Sequence, residues 1–433
     1  MAFVETMTPR ERVMSALAMQ PVDRTPVANP TNVATVDLMD LTDAPFPAAC
    51  RDPELAARLA ATGHTELGFD SVMPYFTIIQ ESSALGCEMQ WEDKDNWPTV
   101  RMAKPIWKGL EDIHIPPGFL EHRDNLTITK SIELLKQEFG DRVAIIGKTM
   151  GPWTLAYHVF GVENFLLMTI DDPDMVLRSL HKLKEISVLF GEAQIAAGAD
   201  ALCFPDHATG DLVSGEYYRK FLLEIHQEMA ERLDVPLILH ICGNTLDRMD
   251  HIAQTGMASF HFDSKNDPQQ AMDIVGGRIG LVGNINNPET LYARGPEEVR
   301  QEVFRCLDAG VQMIAPECAV PLATKLENLI ERAVILCEGT TIHTANLPPL
   351  RDDVHSVPQA RTDQGFDSSV SEHFRKLLES SASRNIWADT MGVVERTLLS
   401  EALGSCDGVR LRAADLLGIH RNTLRKKADE FGL

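Results

Sequence analysis

Positive charge is scarce in this sequence. Lys and Arg together number 40 against 63 Asp and Glu, a formal net charge of −23 over 433 residues. A chain of that sign is not a general nucleic-acid coat and does not seek an anionic membrane surface. Long apolar runs are missing too, and no stretch approaches the length of a membrane span. The first dozen residues carry Glu5 and Glu11 and no apolar block, so no secretory signal is expected there. Cysteine is sparse, with eight residues at irregular spacing. That reads as thiols or metal ligands in a reducing cytoplasm rather than as a disulfide framework. A phosphate-binding loop is absent as well. Ile146-Gly147-Lys148-Thr149 looks like the end of one, but its first glycine would fall where Arg142 stands, so the cradle cannot form.

What is present is ordinary globular material, 44% hydrophobic and 24% charged, in a chain long enough for a large core plus an extra module. Thr8-Pro9 opens a short helix over residues 12–19, with Thr8 as N-cap. Apolar runs at 25–29, 69–74, 143–148, 201–205, 236–241, 258–263, 279–283 and 311–316 read as strands. Helical patterns at 54–62, 132–139, 162–170, 176–197, 216–233, 269–275 and 296–309 fall between most of them. This alternation predicts an α/β fold with a parallel sheet, and eight repeats predict a closed (β/α)8 TIM barrel. An open doubly wound sheet is the alternative. Residues 75–142 are too long for a simple crossover and read as an insertion after strand 2, over the barrel mouth. The barrel is expected to span residues 1–336, followed by a linker over 337–389 and a small all-α helix-turn-helix domain over 390–433.

The chemistry concentrates where the fifth strand ends, at His240-Ile241-Cys242-Gly243. A strand puts residues i and i+2 on one face, so an imidazole and a thiol would point together from the carboxyl end. The eighth strand ends in Glu317-Cys318 and delivers a second thiol to the same mouth. His240, Cys242 and Cys318 then form a His-x-Cys…Cys set with one coordination position left over, as a catalytic zinc requires. An added thiol would lose its proton on such a metal and attack as thiolate at neutral pH.

Residues 1 to about 330 resemble the uroporphyrinogen decarboxylase superfamily, and within it the methylcobamide:coenzyme M methyltransferase branch. The matching stretches run from residues 8–12 and Pro21-Val22-Asp23-Arg24-Thr25-Pro26-Val27 to Gly151-Pro152-Trp153-Thr154. Further on they include Gly198-Ala199-Asp200-Ala201 with Asp206, then His240-Ile241-Cys242-Gly243, Gly283-Asn284-Ile285 and Ala315-Pro316-Glu317-Cys318. The resemblance implies that the three ligands bind Zn2+ and activate a small thiol, which takes a methyl group from a methylcobamide. No D-x-H-x-x-G motif occurs, so the corrinoid would arrive on a partner protein. The decarboxylase's own arginine-rich substrate motif is missing, since residues 27–32 hold no Arg. Asp206, Asp263 and Glu317 are candidates for a fourth ligand or for orienting His240. Asn284 and Asn286 could bind a polar substrate. His207 and His261 read as loop or surface imidazoles.

The tail is different in kind. An amphipathic helix over 395–403, with Val394, Leu398, Leu399 and Leu403 on one side, precedes two helical pieces joined by Gly418. The second piece, 420–427, carries four basic residues and no acidic one, and Arg421, Asn422, Thr423, Arg425, Lys426 and Lys427 are its candidate DNA contacts. Residues 391–433 resemble the Fis-type domain that ends nitrogen-regulatory enhancer-binding activators, and residues 326–347 resemble the end of those activators' ATPase domain. That resemblance implies a homodimer through the helix at 395–403 and DNA binding through residues 410–433. Two readings follow: a corrinoid-dependent methyltransferase with a DNA-binding tail, or a transcriptional regulator whose barrel senses methyl-corrinoid or thiol without turnover.

Overall fold

A computed structural model describes residues 5–325 and 386–406, with positions 409, 410, 412, 413, 424, 427 and 428 of the C-terminal segment. The chain divides into two compact units, residues 1–350 and 351–433. The expected boundary at 336, the segment 326–347 and most of the linker lie outside the described residues.

The first unit is a ring of parallel strands wrapped by helices. Strand β1 is Ser71–Val72. In the long segment after it, β2 (Met89–Gln90) and β3 (Thr99–Val100) pair as an antiparallel hairpin. The parallel sheet continues through β4 (Ala144–Lys148), β5 (Ala201–Pro205), β6 (Leu237–Ile241), β7 (Ser259–Phe262) and β8 (Gly280–Val282), each beside the next. The runs at 25–29 and 311–316 differ from expectation. They contribute single bridges, Val27 to Ile314, Val282 to Met313 and Ile285 to Pro316, rather than continuous strands. Pro26, Pro30 and Pro316 have no N–H to give, so neither run can carry a full ladder. The bridges still close the ring. The Ile314 amide donates to the Pro26 carbonyl at 2.9 Å, the Ala28 amide to Ile314 at 3.0 Å and the Asp70 amide to Val27 at 2.7 Å. The TIM barrel with its insertion after the second strand is thus present.

Caps set the helix starts. Thr8 and Glu11 form a capping box that begins the first helix at Pro9–Leu17, three residues earlier than the pattern suggests. The expected helix at 216–233 is two, Gly215–Phe221 and Leu223–Arg232. The break lets the Tyr218 hydroxyl meet His226 Nδ1 at 2.9 Å. Eight residues of unbroken helix would hold them about 12 Å apart. The helix Pro152–Phe160 has no amphipathic stripe to reveal it, because all nine residues are buried.

In the second unit the helix Ile386–Ser405 contains the expected 395–403 segment. Leu399 and Ala402 pack with Ala413 and Leu424, while Leu398 is 55% exposed, so the expected apolar side is narrower than four residues. No helix among the described residues is long and apolar enough to cross a membrane.

Candidate metal centre

Every residue of β6 is buried, and the strand is hydrogen-bonded on both sides, His240 standing level with Pro205 of β5 and His261 of β7. Cys242 follows one residue past the strand's end. Cys318 comes two residues after Pro316, whose bridge to Ile285 closes the far side. His240 Nε2 lies 3.0 Å from Cys242 Sγ, and Cys242 Sγ lies 3.4 Å from Cys318 Sγ. The three donor atoms fall within 4.8 Å of one another, and no other group of three such side chains converges this way among the described residues. The sulfurs are too far apart for a disulfide, whose bond is about 2.05 Å. Ligands on one tetrahedral zinc would sit about 3.6 Å (N to S) and about 3.8 Å (S to S) apart. The observed spacings are a few tenths of an ångström tighter, as befits a set closed by its own hydrogen bonds, and the donors fit a soft tetrahedral ion.

Neighbouring backbone fixes each donor. His240 Nδ1 donates to the His261 carbonyl at 3.1 Å, which leaves the Nε2 lone pair facing the sulfurs. The His261 ring lies 4.5 Å from that of His240, and its Nε2 donates to the Pro316 carbonyl at 2.7 Å. Burial, then the neighbouring His240, pushes His261 down to about 3, so it stays neutral. The Cys318 carbonyl accepts from Asn29 Nδ2 at 3.3 Å. A hydrogen bond from Cys242, helped by His240, holds the Cys318 thiol well below its ordinary range, and the same pairing pushes Cys242 up.

The family described as Uroporphyrinogen decarboxylase (URO-D) matches residues 8–334, three quarters of the chain and all three donors. The chain belongs to this family. Its URO-D barrel is homologous to methylcobamide:CoM methyltransferases. The Methylcobamide:CoM methyltransferase MtbA of Methanosarcina acetivorans is 32% identical over 327 residues, covering 74% of this chain and 95% of that protein. A Methylated-thiol--coenzyme M methyltransferase of Methanosarcina mazei is 30% identical over 356 residues, 82% of this chain and 94% of its own length. A solved methyltransferase structure from Methanosarcina mazei superposes with a TM-score of 0.72 at 30% identity, over 75% of this chain and 96% of the other. The tail, residues 390–431, matches the bacterial regulatory protein, Fis family.

Around the URO-D centre the remaining expected residues separate by role. Asp206 is fully buried and turns away from the donors. Its Oδ1 accepts from the Thr154 amide at 2.8 Å and its Oδ2 meets His226 Nε2 at 3.1 Å, while its own amide donates to the His240 carbonyl at 2.9 Å. Asp263 Oδ2 accepts from the Gly243 amide at 2.7 Å and so holds the turn that carries Cys242. Glu317 accepts from the amides of Ser264 at 2.9 Å and Asn287 at 3.0 Å, and burial pushes its carboxyl up. None of the three joins the donor set. Asn284 is fully buried, and its Nδ2 donates to the Asp263 and Asn266 carbonyls at 3.1 and 2.8 Å. Asn286 donates to Ser264 at 2.8 Å and caps the turn at Glu289 with its carbonyl at 2.7 Å. Both are engaged in loop structure. His261 is not a surface imidazole but a buried residue of β7. His207 is half-buried in the loop after β5, and burial pushes its imidazole down. Asn29 and Lys148 escaped the sequence reading, since nothing in their local pattern signals that the fold turns them into the mouth. Of the candidate DNA contacts, Arg421, Asn422, Thr423, Arg425 and Lys426 lie outside the described residues, and Lys427 is helical and half-buried.

Proposed function

We propose that this chain is a zinc-dependent methyltransferase that moves a methyl group from a methylated corrinoid protein to a small thiol, and that its Fis-type tail couples the barrel to DNA. The observation that carries the reading is the convergence of His240, Cys242 and Cys318 at the mouth of a barrel homologous to methylcobamide:CoM methyltransferases. One neutral nitrogen and two thiolates would balance a divalent charge. A bound zinc supplies Lewis acidity that lets an acceptor thiol react as thiolate at neutral pH. The chain's own part is placement. β6 sets His240 and Cys242 side by side, the His261 carbonyl fixes the imidazole tautomer, and Asn29 and Glu317 hold the turn bearing Cys318. In the transfer the sulfur–carbon bond forms as the cobalt–carbon bond breaks, and the electron pair stays with cobalt on the partner. Purified zinc-loaded protein should convert coenzyme M or homocysteine to its S-methyl form with free methylcobalamin as donor. No methylated product from either thiol sinks the enzyme reading for those acceptors. It would leave the second reading, favoured by the Fis-family tail, in which the same site senses methyl-corrinoid or thiol and DNA binding is the output.

A further inference from the structure

We propose that Lys148 and Asn32 form an anion-binding subsite in the barrel mouth that holds the negatively charged end of the acceptor thiol. The identity of that ligand rests on the methyl-transfer reading; the anion site does not.

Lys148 is the last residue of β4 and is 2% exposed. Its Nζ donates to the Thr31 carbonyl at 2.9 Å and stands 4.7 Å above the centre of the Tyr75 ring. Among the described residues it pairs with no carboxylate. Glu81, whose charge it feels, gives its oxygens to the Tyr75 hydroxyl, the Thr149 hydroxyl and the Met150 amide. An ammonium has three protons. One goes to a carbonyl, one faces a ring, and the third has no acceptor among the described residues. Folding a cation into a barrel without a paired carboxylate is costly, and an anion that arrives later would offset that cost. Burial pushes Lys148 down to about 8, so it is still mostly charged at neutral pH.

A second unsatisfied donor comes from the next residue of the same loop. Asn32 is fully buried. Its Oδ1 accepts from the Ala34 amide at 2.7 Å, its carbonyl from Val320 at 3.0 Å and from Asn29 Nδ2 at 2.6 Å, but its own Nδ2 has no acceptor among the described residues. The loop that supplies Thr31 and Asn32 also supplies Asn29, which binds the Cys318 carbonyl. One short segment therefore ties Cys318 and two idle donors together. A small thiol bearing a sulfonate or carboxylate a few bonds from its sulfur matches that layout, sulfur toward Cys318 and anion toward Lys148. An uncharged thiol leaves both donors unsatisfied.

The test uses ethanesulfonate and propionate, which carry each anion without a thiol, titrated calorimetrically into the full chain with and without zinc. At least one should bind in both metal states, and the stronger identifies the anion type. Lys148→Met should weaken it by about ten- to hundredfold, the loss of one charge-assisted hydrogen bond. Asn32→Asp should abolish it by placing a carboxylate against Lys148. Both variants should keep the wild-type Tm or exceed it, because the first removes a buried cation and the second gives that cation a counter-charge, whereas a purely structural lysine predicts a fall. Binding of uncharged 2-mercaptoethanol to the zinc-loaded protein should change less than twofold. The subsite is overturned if neither anion binds wild type, or if Lys148→Met and Asn32→Asp bind as wild type does. Anion binding through Lys148 in a protein that methylates no thiol would keep the subsite and remove the methyltransferase reading. Methylation that does not distinguish charged from uncharged thiols would do the reverse.

Discussion

Asp206, Asp263 and Glu317 surround the His–Cys–Cys set, and at each of them the oxygens' partners define the role. Asp263 and Glu317 accept backbone amides from the loops that carry or face the cysteines, so they brace the sulfurs from behind. Asp206 binds Thr154 and His226 instead, and Gly151 must lack a side chain because a Cβ there would lie 2.2 Å from the Asp206 carboxyl carbon. Ligand and brace can be told apart by metal content. Cys318→Ser should lose stoichiometric zinc after desalting. Asp206→Asn should retain about one zinc per chain yet lose about 1–3 kcal/mol of stability, since its amide would face one donor too many in a buried site. Metal analysis by atomic emission, alongside urea unfolding, checks both, and zinc lost from Asp206→Asn at unchanged stability would return Asp206 to the ligand set.

The element opposite the mouth holds the barrel's floor. The helix Pro9–Leu17 buries Arg12, whose guanidinium pairs with Asp23 at 2.6 Å and Asp70 at 2.6 Å, while Arg24 grips Asp70 at 2.7 Å. Asp70 also accepts the Val27 amide at 2.9 Å, so these ions substitute for the ladder that Pro26 denies to the first strand. The hydrogen bond from Arg12 holds the Asp23 carboxyl well below the usual carboxylate range. A depressed folded value contributes stability that is complete above the ordinary pKa near 4 and is lost as pH falls below it. Asp23→Asn should therefore cost about 3 kcal/mol at pH 7. The gap to wild type should narrow from about pH 4 downward, measured by urea unfolding at several pH values. A gap independent of pH would mean that the carboxylate's charge contributes nothing. The sequence shows this scale unevenly. Strand–helix alternation and the i, i+2 spacing of His240 and Cys242 are local patterns, so the barrel and the pairing of these two side chains are legible from them, and strand order then brings Cys318. Pro152–Phe160 was hidden because a helix buried all round has no period. Lys148 was hidden because Gly147-Lys148-Thr149 resembles a phosphate loop. In the fold Gly147 is there for packing, with Gln194 and Leu202 each 2.7 Å from where a Cβ would stand. Asn284 and Asn286 are ambiguous in sequence for a different reason, since a polar residue at a strand end reads the same whether it faces substrate or satisfies a turn.

Across the whole molecule, charge is distributed against the overall sign. The chain carries −23, yet residues 420–427 hold four basic side chains and no acidic one. A strongly acidic barrel repels DNA at long range, so any binding must come from that short segment and must be steeply salt-dependent. The Fis-family match gives the segment its setting, and the buried Leu399, Ala402, Ala413 and Leu424 give the tail a core of its own. Arg421 and Arg425 are the strongest candidates for phosphate or base-edge contacts, while Lys427, half-buried, has less freedom to reach. Arg421→Ala together with Arg425→Ala in the full chain should weaken binding to the DNA upstream of its own reading frame by about tenfold or more. The slope of log affinity against log salt should flatten by about 0.9 for each phosphate contact removed. Methyl transfer in the same variant should stay at the wild-type rate, because no metal-set residue is touched. Unchanged DNA binding with an unchanged salt slope would reduce the tail to an assembly module, and its oligomeric state by light scattering would then be the property to follow.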